Sequence, residues 1–265
     1  MKRHASIRTA AALSFLATAG TARGLVVADY PTAENPPPAA WGLDWSHVHE
    51  YKKGSAVAVD RRWLLTAAHL ANDDEPSTVV IGGTNFHQTE IVFHRPADDP
   101  DHADRADLAL VRFDRDLPGW AERYDGGFPS SPPSARREAV LVGFGRTGAV
   151  FSAHYVPTTG GRGVRRWGTQ KIDGPDVMDH SDEASSWTNQ GFTMDFHLTD
   201  TAYEAGAAVY DSGSGTFVED AGAWKLAGIN ANTYSGPSGH TGTFAISVPA
   251  YRSWIDAVLD DEGDL

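Results

Sequence analysis

Tyr210-Asp211-Ser212-Gly213-Ser214-Gly215 sets a hydroxyl, a carboxylate and several small residues into one tight turn. Glycines in such a turn carry no Cβ and accept φ > 0, so backbone N–H groups can close on a reacting carbonyl. The Ser212 hydroxyl is a weak nucleophile until a base, itself held by a third group, takes its proton. The reading therefore turns on whether the chain supplies a histidine and a second carboxylate in suitable settings.

Both lie upstream. Arg62-Trp63-Leu64-Leu65-Thr66-Ala67-Ala68-His69 carries a buried-looking strand into a histidine, with small Ala67 and Ala68 leaving room around the ring. Taken alone, His69 reads equally well as a core histidine with its nitrogens satisfied. Asp107-Leu108-Ala109-Leu110-Val111 places a carboxylate at the mouth of an apolar strand. Burying that carboxylate is costly unless it is paired, and a solvated strand start is the plain alternative.

Taken together, the three segments resemble the trypsin/chymotrypsin family of serine endopeptidases. Trp63 to His69 looks like that family's histidine motif, Asp107 to Leu110 its aspartate motif, and Asp211 to Gly215 its nucleophile motif. The order His, Asp, Ser and the gaps of 38 and 105 residues also fit. Lesser matches are Gly143-Phe144-Gly145, Leu226-Ala227-Gly228-Ile229, Gly242-Thr243-Phe244 and Tyr251-Arg252-Ser253-Trp254-Ile255. The resemblance spans roughly residues 25–258. It implies an all-β fold of two packed six-stranded antiparallel barrels with the active site in the cleft between them.

The resemblance also implies roles. Ser212 is the nucleophile, His69 the general base and then acid, and Asp107 the group that orients His69. The backbone N–H groups of Tyr210 and Ser212 form the oxyanion hole. Asp211 pairs with the α-ammonium of the mature N-terminus. Gly206 stands at the base of the specificity pocket and Thr233 and Gly242 on its walls. With no carboxylate at the base, small or medium apolar side chains fit better than Arg or Lys, although Glu204 lies nearby. No cofactor and no metal are expected, and the partner is a protein or peptide substrate.

Two positions depart from the family pattern. Tyr210 stands where the family has glycine; if that position needs φ > 0, a Cβ costs about 1–2 kcal/mol. A flipped peptide there would remove one oxyanion donor, a loss of about 10²–10³ in rate. Ala231 replaces a serine that hydrogen-bonds the triad aspartate. These departures keep a second reading in view, that of a catalytically impaired homologue that binds peptide or protein through the same cleft. An α/β-hydrolase is excluded by its Gly-x-Ser-x-Gly elbow, which fails at Tyr210.

The rest of the chain agrees with a β protein. It is 265 residues long, rich in Gly and Pro, and short apolar runs bounded by turn residues recur along it. Helical spacing shows only at the end, where Tyr251, Trp254, Ile255, Val258 and Leu259 follow i, i+3, i+4, i+7, i+8, with Ser247 as a possible cap. The polar, Pro-rich stretch 125–135 reads as a linker between an N-terminal half, 25–124, and a C-terminal half, 125–265.

Residues 1–24 read as a secretory signal. Lys2, Arg3 and Arg8 precede the apolar run Ala10 to Ala19, which is too short to span a bilayer. Small residues offer cuts after Ala19, Ala22 or Gly24, and a cut before Leu25-Val26-Val27 would give the apolar start that the family's mature chains have. The protein is thus expected to be secreted, with export itself producing the active terminus. The absence of cysteine excludes disulfides but not export.

The formal charge is −13, and the first 24 residues hold four basic groups and no acid, so the remainder carries −17. That disfavours nucleic acid or an anionic membrane as partner. Two motifs carry bland readings beside functional ones. The pair His47 and His49 reads as a surface loop rather than a metal site, and the acidic run 98–104 as a solvated loop rather than a calcium site.

Overall fold

The computed structural model describes residues 25–72, 75–95, 105–128, 135–181, 186–236 and 239–261. The signal stretch, the acidic run 98–104 and the middle of the linker lie outside the described residues.

Two antiparallel sheets make up the body. The first runs in the order β2 (Val48–Tyr51), β3 (Gly54–Asp60), β4 (Trp63–Thr66), β7 (Ala109–Phe113), β6 (Thr84–Phe93), β5 (Thr78–Ile81). Its outer strands β2 and β5 approach each other, so the sheet is nearly closed into a barrel. The second runs β11 (Arg166–Lys171), β8 (Glu138–Gly143), β15 (Gly215–Asp220), β16 (Ala223–Ser235), β17 (Thr241–Ser247), β13 (Ser186–Asp195), β12 (Gly174–Ser181). Short pairs β1 (Val26–Val27) with β14 (Ala205–Gly206), and β9 (Gly148–Val150) with β10 (Tyr155–Pro157), complete it. The double-β architecture is the one the sequence points to. The second sheet carries a seventh strand, β12, which extends the hairpin with β13.

Alternation along the strands sorts side chains between cores. Val57, Leu65 and Leu110 face a core shared with Val142, Phe217 and Ile229 of the second sheet. Their neighbours Ala56, Leu64 and Val111 turn the other way into a core of the first sheet. Leu141, Phe192 and Ala245 do the same in the second. Strands buried on both faces read as near-continuous apolar runs, which is why β4, β7 and β8 do.

The last helix behaves as its spacing dictates. A 3-10 turn at Pro249–Tyr251 leads into the helix Arg252–Asp260, with Tyr251 and Ile255 buried. Fully burying Ile255 contributes about 1.5–3 kcal/mol. Ser247 does not cap it; it belongs to β17 and the turn has no side-chain cap. The His47 and His49 pair is not a surface loop either. His49 lies buried in β2, where burial drives its imidazole down to about 3, and His47 contacts Asp44.

Candidate active site

The β4–β7 register creates the first half of the site. Thr66 pairs with Ala109 and Leu65 with Leu110, so the residues just after β4 and just before β7 fall side by side at one end of the ladder. His69 sits in the short helical turn Ala68–Ala71 and Asp107 opposite it. The His69 Nδ1 and Asp107 Oδ2 atoms are 2.7 Å apart, and the His69 backbone N–H donates to Asp107 Oδ1 at 2.8 Å. The Asp107 carboxylate is fully buried, so both its oxygens are spent on fixing one imidazole. His69 itself lines the cleft.

Ser212 comes from the second sheet but is tied to the first. The Ser55 N–H of β3 donates to Ser212 O at 2.9 Å, and Gly213 N–H donates to Asn230 O at 2.8 Å. Gly213 has φ +79°, and a Cβ there would lie 1.9 Å from Ser55 O. A Cβ at Gly54 would likewise meet Leu70 Cδ1 at 2.5 Å and Ser212 O at 2.7 Å. Only glycine lets the two sheets close on this turn. Ser212, His69 and Tyr210 then line one cleft of about 700 Å³. No hydrogen bond joins the Ser212 hydroxyl to the His69 ring among the described residues. In unliganded sites such bonds are often long and tighten on substrate.

Tyr210 adopts φ +76°, the backbone conformation that glycine takes without cost. The residue departs from the family's type but keeps a left-handed turn. Its ring is approached by the guanidiniums of Arg146 and Arg162, and Arg146 Nη2 donates to the Tyr210 hydroxyl at 3.5 Å. Asp211 is fully buried behind it. Its Oδ1 accepts from Gly145 N–H at 2.7 Å, its Oδ2 from Ala208 N–H at 2.9 Å, and the Leu25 N–H also donates to it. Burial raises the Asp211 carboxyl to about 7, outweighing these donors and the attraction of Arg166.

Of the residues assigned to the specificity pocket, Thr233 lines the cleft, as does Ala231, the residue that departs from the family pattern. Gly206 and Gly242 are backed by tyrosines instead. A Cβ on Gly206 would lie 2.1 Å from the Tyr155 ring, and one on Gly242 2.2 Å from the Tyr234 ring. Tyr155 is itself held by a 2.6 Å bond from its hydroxyl to Ala207 O. The Glu204 carboxylate turns to the Thr201 hydroxyl at 2.6 Å and the His197 N–H at 3.2 Å, and burial raises it to about 7.

Several side chains around the site escaped the sequence reading, and most belong to the β12–β13 hairpin. Asn189 Oδ1 accepts from Asp107 N–H at 2.8 Å while its amide donates to Met178 O at 3.2 Å. Thr188 N–H donates to Arg105 O and the Arg105 Nε–H to Ser186 O, both at 3.0 Å. The hairpin of the second sheet thus clamps the aspartate loop of the first. It also sets His180, stacked on Trp187 at 5.4 Å, edge-on to His69 at 5.8 Å. Ligand-type atoms of His69, Asp107 and His180 lie within 4.8 Å of one another. A hairpin-borne histidine has no local signal in the sequence.

A family model described as Trypsin matches residues 33–255. No curated protein sequence matches the chain. Among solved structures the chain is similar to the inactive form of the Rv3671c protease from M. tuberculosis, at 16% identity and a TM-score of 0.54, covering 85% of this chain and 93% of that one. A variant of human heparin binding protein gives 18% identity and a TM-score of 0.54, covering 81% and 92%. Neuropsin, a serine protease expressed in the limbic system of mouse brain, gives 16% and 0.51, covering 78% and 89%. At these identities the likeness is one of fold.

Proposed function

Because this chain belongs to the trypsin family of serine proteases, we propose that it is a secreted serine endopeptidase that works through Ser212, His69 and Asp107. The observation that carries the reading is the buried Asp107 carboxylate gripping His69 by both ring and backbone, in the cleft that Ser212 also lines.

Ser212 Oγ attacks the scissile carbonyl carbon as His69 Nε2 takes its proton. Asp107 keeps Nδ1 protonated and stabilises the resulting imidazolium. The oxygen that becomes negative is received by the N–H groups of Ser212 and Tyr210. His69 then returns the proton to the leaving nitrogen, the C–N bond breaks, and an acyl ester on Ser212 remains. Water, deprotonated by His69 in turn, adds to that ester and releases the acid.

Specificity follows from what backs the cleft. The Tyr155 ring fills the space beside Gly206, and Glu204 is occupied by Thr201 and His197. Small or medium apolar residues before the scissile bond are favoured over Arg or Lys. Activation rests on a cut between Gly24 and Leu25 during export, which would turn the Leu25 amide at Asp211 into an ammonium.

A second reading, a catalytically impaired homologue that binds peptide in the same cleft, is favoured by one observation: the positive φ is borne by a tyrosine beside the oxyanion turn. Peptide-library profiling of the secreted protein separates the two. The endopeptidase reading requires internal cleavage that vanishes in Ser212→Ala. Retention of peptides without cleavage supports the binding module.

A further inference from the structure

Tyr210 is where the sequence leaves the family pattern, and its ring sits in an uncompensated concentration of positive charge. The Arg146 guanidinium lies 4.8 Å from the ring centroid and that of Arg162 5.1 Å. Lys53 joins them around a pocket of about 340 Å³ whose remaining lining is Thr159, Gly160 and Gly161. No acidic residue lines this pocket, and among the described residues none of the three cations has an ion-pair partner. Glu50, beside Gly163, is the acid that approaches the loop, but it does not reach ion-pair distance of Arg162. In a chain of net charge −13, three cations around one phenol are not explained by overall balance. The ring face attracts each guanidinium, yet it offsets little of their mutual repulsion. A carboxylate among them would offset more, through charge-assisted and bidentate hydrogen bonds.

The position of the pocket gives it meaning. Strand β15 pairs with β16 only as far as Ile229, whereas β17 continues alongside β16 to Ser235. The edge of β16 at Ala231 to Thr233 is therefore free on the cleft side, ready to pair with the acyl half of an extended peptide. Lys53 and Tyr210 line both the cleft and the basic pocket, whereas none of Ala231, Asn232 and Thr233 lines the basic pocket. A peptide whose acyl half paired with that edge would have the Lys53 and Tyr210 end of the cleft left for the residues after its scissile bond.

We propose that Lys53, Arg146, Arg162 and the Tyr210 ring form a carboxylate-binding subsite for an acidic side chain one to three residues beyond the scissile bond. This rests on the endopeptidase reading for its direction, and it gives Tyr210 a purpose: the residue exchanges glycine's freedom for a platform that spaces two arginines. The substrate class is then a peptide with an apolar residue before the cleaved bond and Asp or Glu shortly after it.

The test compares C-terminally amidated, internally quenched peptides identical except for Asp or Asn at those positions. The Asp peptide should show kcat/KM about tenfold above the Asn peptide at low salt, as expected for two or more partly exposed charge pairs. That ratio should collapse toward one in about 0.5 M salt and in Arg162→Gln and Arg146→Gln. A ratio near one in the wild type, or one that persists in the Arg146→Gln/Arg162→Gln protein, overturns the subsite. A preference seen only with peptides ending in a free carboxylate assigns the pocket to a chain terminus and also overturns it. Binding of the same pair to Ser212→Ala, read by fluorescence anisotropy, separates the two readings. Preferential binding of the Asp peptide without wild-type turnover retains the subsite while the hydrolytic reading falls. Equal binding of both peptides removes the subsite whatever the turnover.

Discussion

Leu25 donates its backbone N–H to the carboxylate of Asp211, the residue directly before Ser212. Val26 and Val27 beyond it pair with Gly206 and Ala205, so the segment is anchored and buried. Leu25 itself is held at φ +46°, which a branched side chain tolerates poorly. Cutting the chain before Leu25 abolishes that φ and supplies a cation where a buried carboxyl now sits near 7. In the proposed processed form the strain at Leu25 would be gone and the Asp211 carboxyl would gain a cationic partner.

A pH dependence follows. A carboxyl at about 7 in the folded chain and 3.8 in the unfolded one binds its proton more readily when folded. Its stabilising contribution is complete below 3.8 and is lost as pH rises through 7. In Ser212→Ala protein that retains residues 1–24, Tm should fall between pH 5 and pH 8. In the same protein beginning at Leu25, the ammonium pulls Asp211 down and the fall should shrink. Glu204, also raised to about 7, acts alike in both forms and cancels in the comparison. Identical pH profiles would contradict the Leu25–Asp211 pairing.

Asn189→Ala should weaken the clamp between the β12–β13 hairpin and the aspartate loop. The buried Asp107 N–H loses its acceptor, a cost of about 1–3 kcal/mol. Urea melts should register that loss, and kcat should drop with it, because Asp107 orients His69. A melt within about 0.3 kcal/mol of wild type would show that the hairpin does not support the site.

Gly206→Asp should not create cleavage after Arg or Lys. The new Cβ would fall 2.1 Å from the buried Tyr155 ring, so the carboxylate has no open floor to occupy. Overpacking of this kind costs about 1–3 kcal/mol or more. The expected result is a lowered Tm with no gain on Arg or Lys substrates. Efficient new cleavage after Arg would place the specificity pocket where the sequence reading put it.

Tyr210→Gly should relieve about 1–2 kcal/mol of left-handed strain and raise Tm slightly. Toward peptides with an acid after the scissile bond its kcat/KM should fall, since the aromatic ring that Arg146 and Arg162 both contact is gone. A rise in kcat/KM on every substrate would mean instead that the tyrosine cripples the oxyanion turn.

The three chemistry-bearing segments were legible because each is a local pattern. A strand running into Ala67-Ala68-His69, a strand leaving Asp107, and a turn around Ser212 are each written within a few residues. The terminal helix was legible from spacing alone. Strand β12 was not: Gly174-Pro175-Asp176-Val177-Met178-Asp179-His180-Ser181 has neither alternation nor an apolar run, and its pairing partner β13 decides its conformation. The same holds for Tyr155, which backs Gly206 from 51 residues away in the chain. The basic pocket draws Lys53, Arg146, Arg162 and Tyr210 from four separate loops, and only the fold brings them together. Sequence shows which residues have chemistry; packing decides what surrounds them.

In the proposed mechanism His69 makes an ordinary alcohol at Ser212 into a nucleophile. Intact-mass analysis of protein verified to begin at Leu25, after exposure to a fluorophosphonate, tests it most directly. One phosphonyl adduct is expected, mapped to Ser212, absent from Ser212→Ala and strongly slowed in His69→Ala. Folded, correctly processed protein that stays unlabelled, or an adduct that persists in Ser212→Ala, would contradict it.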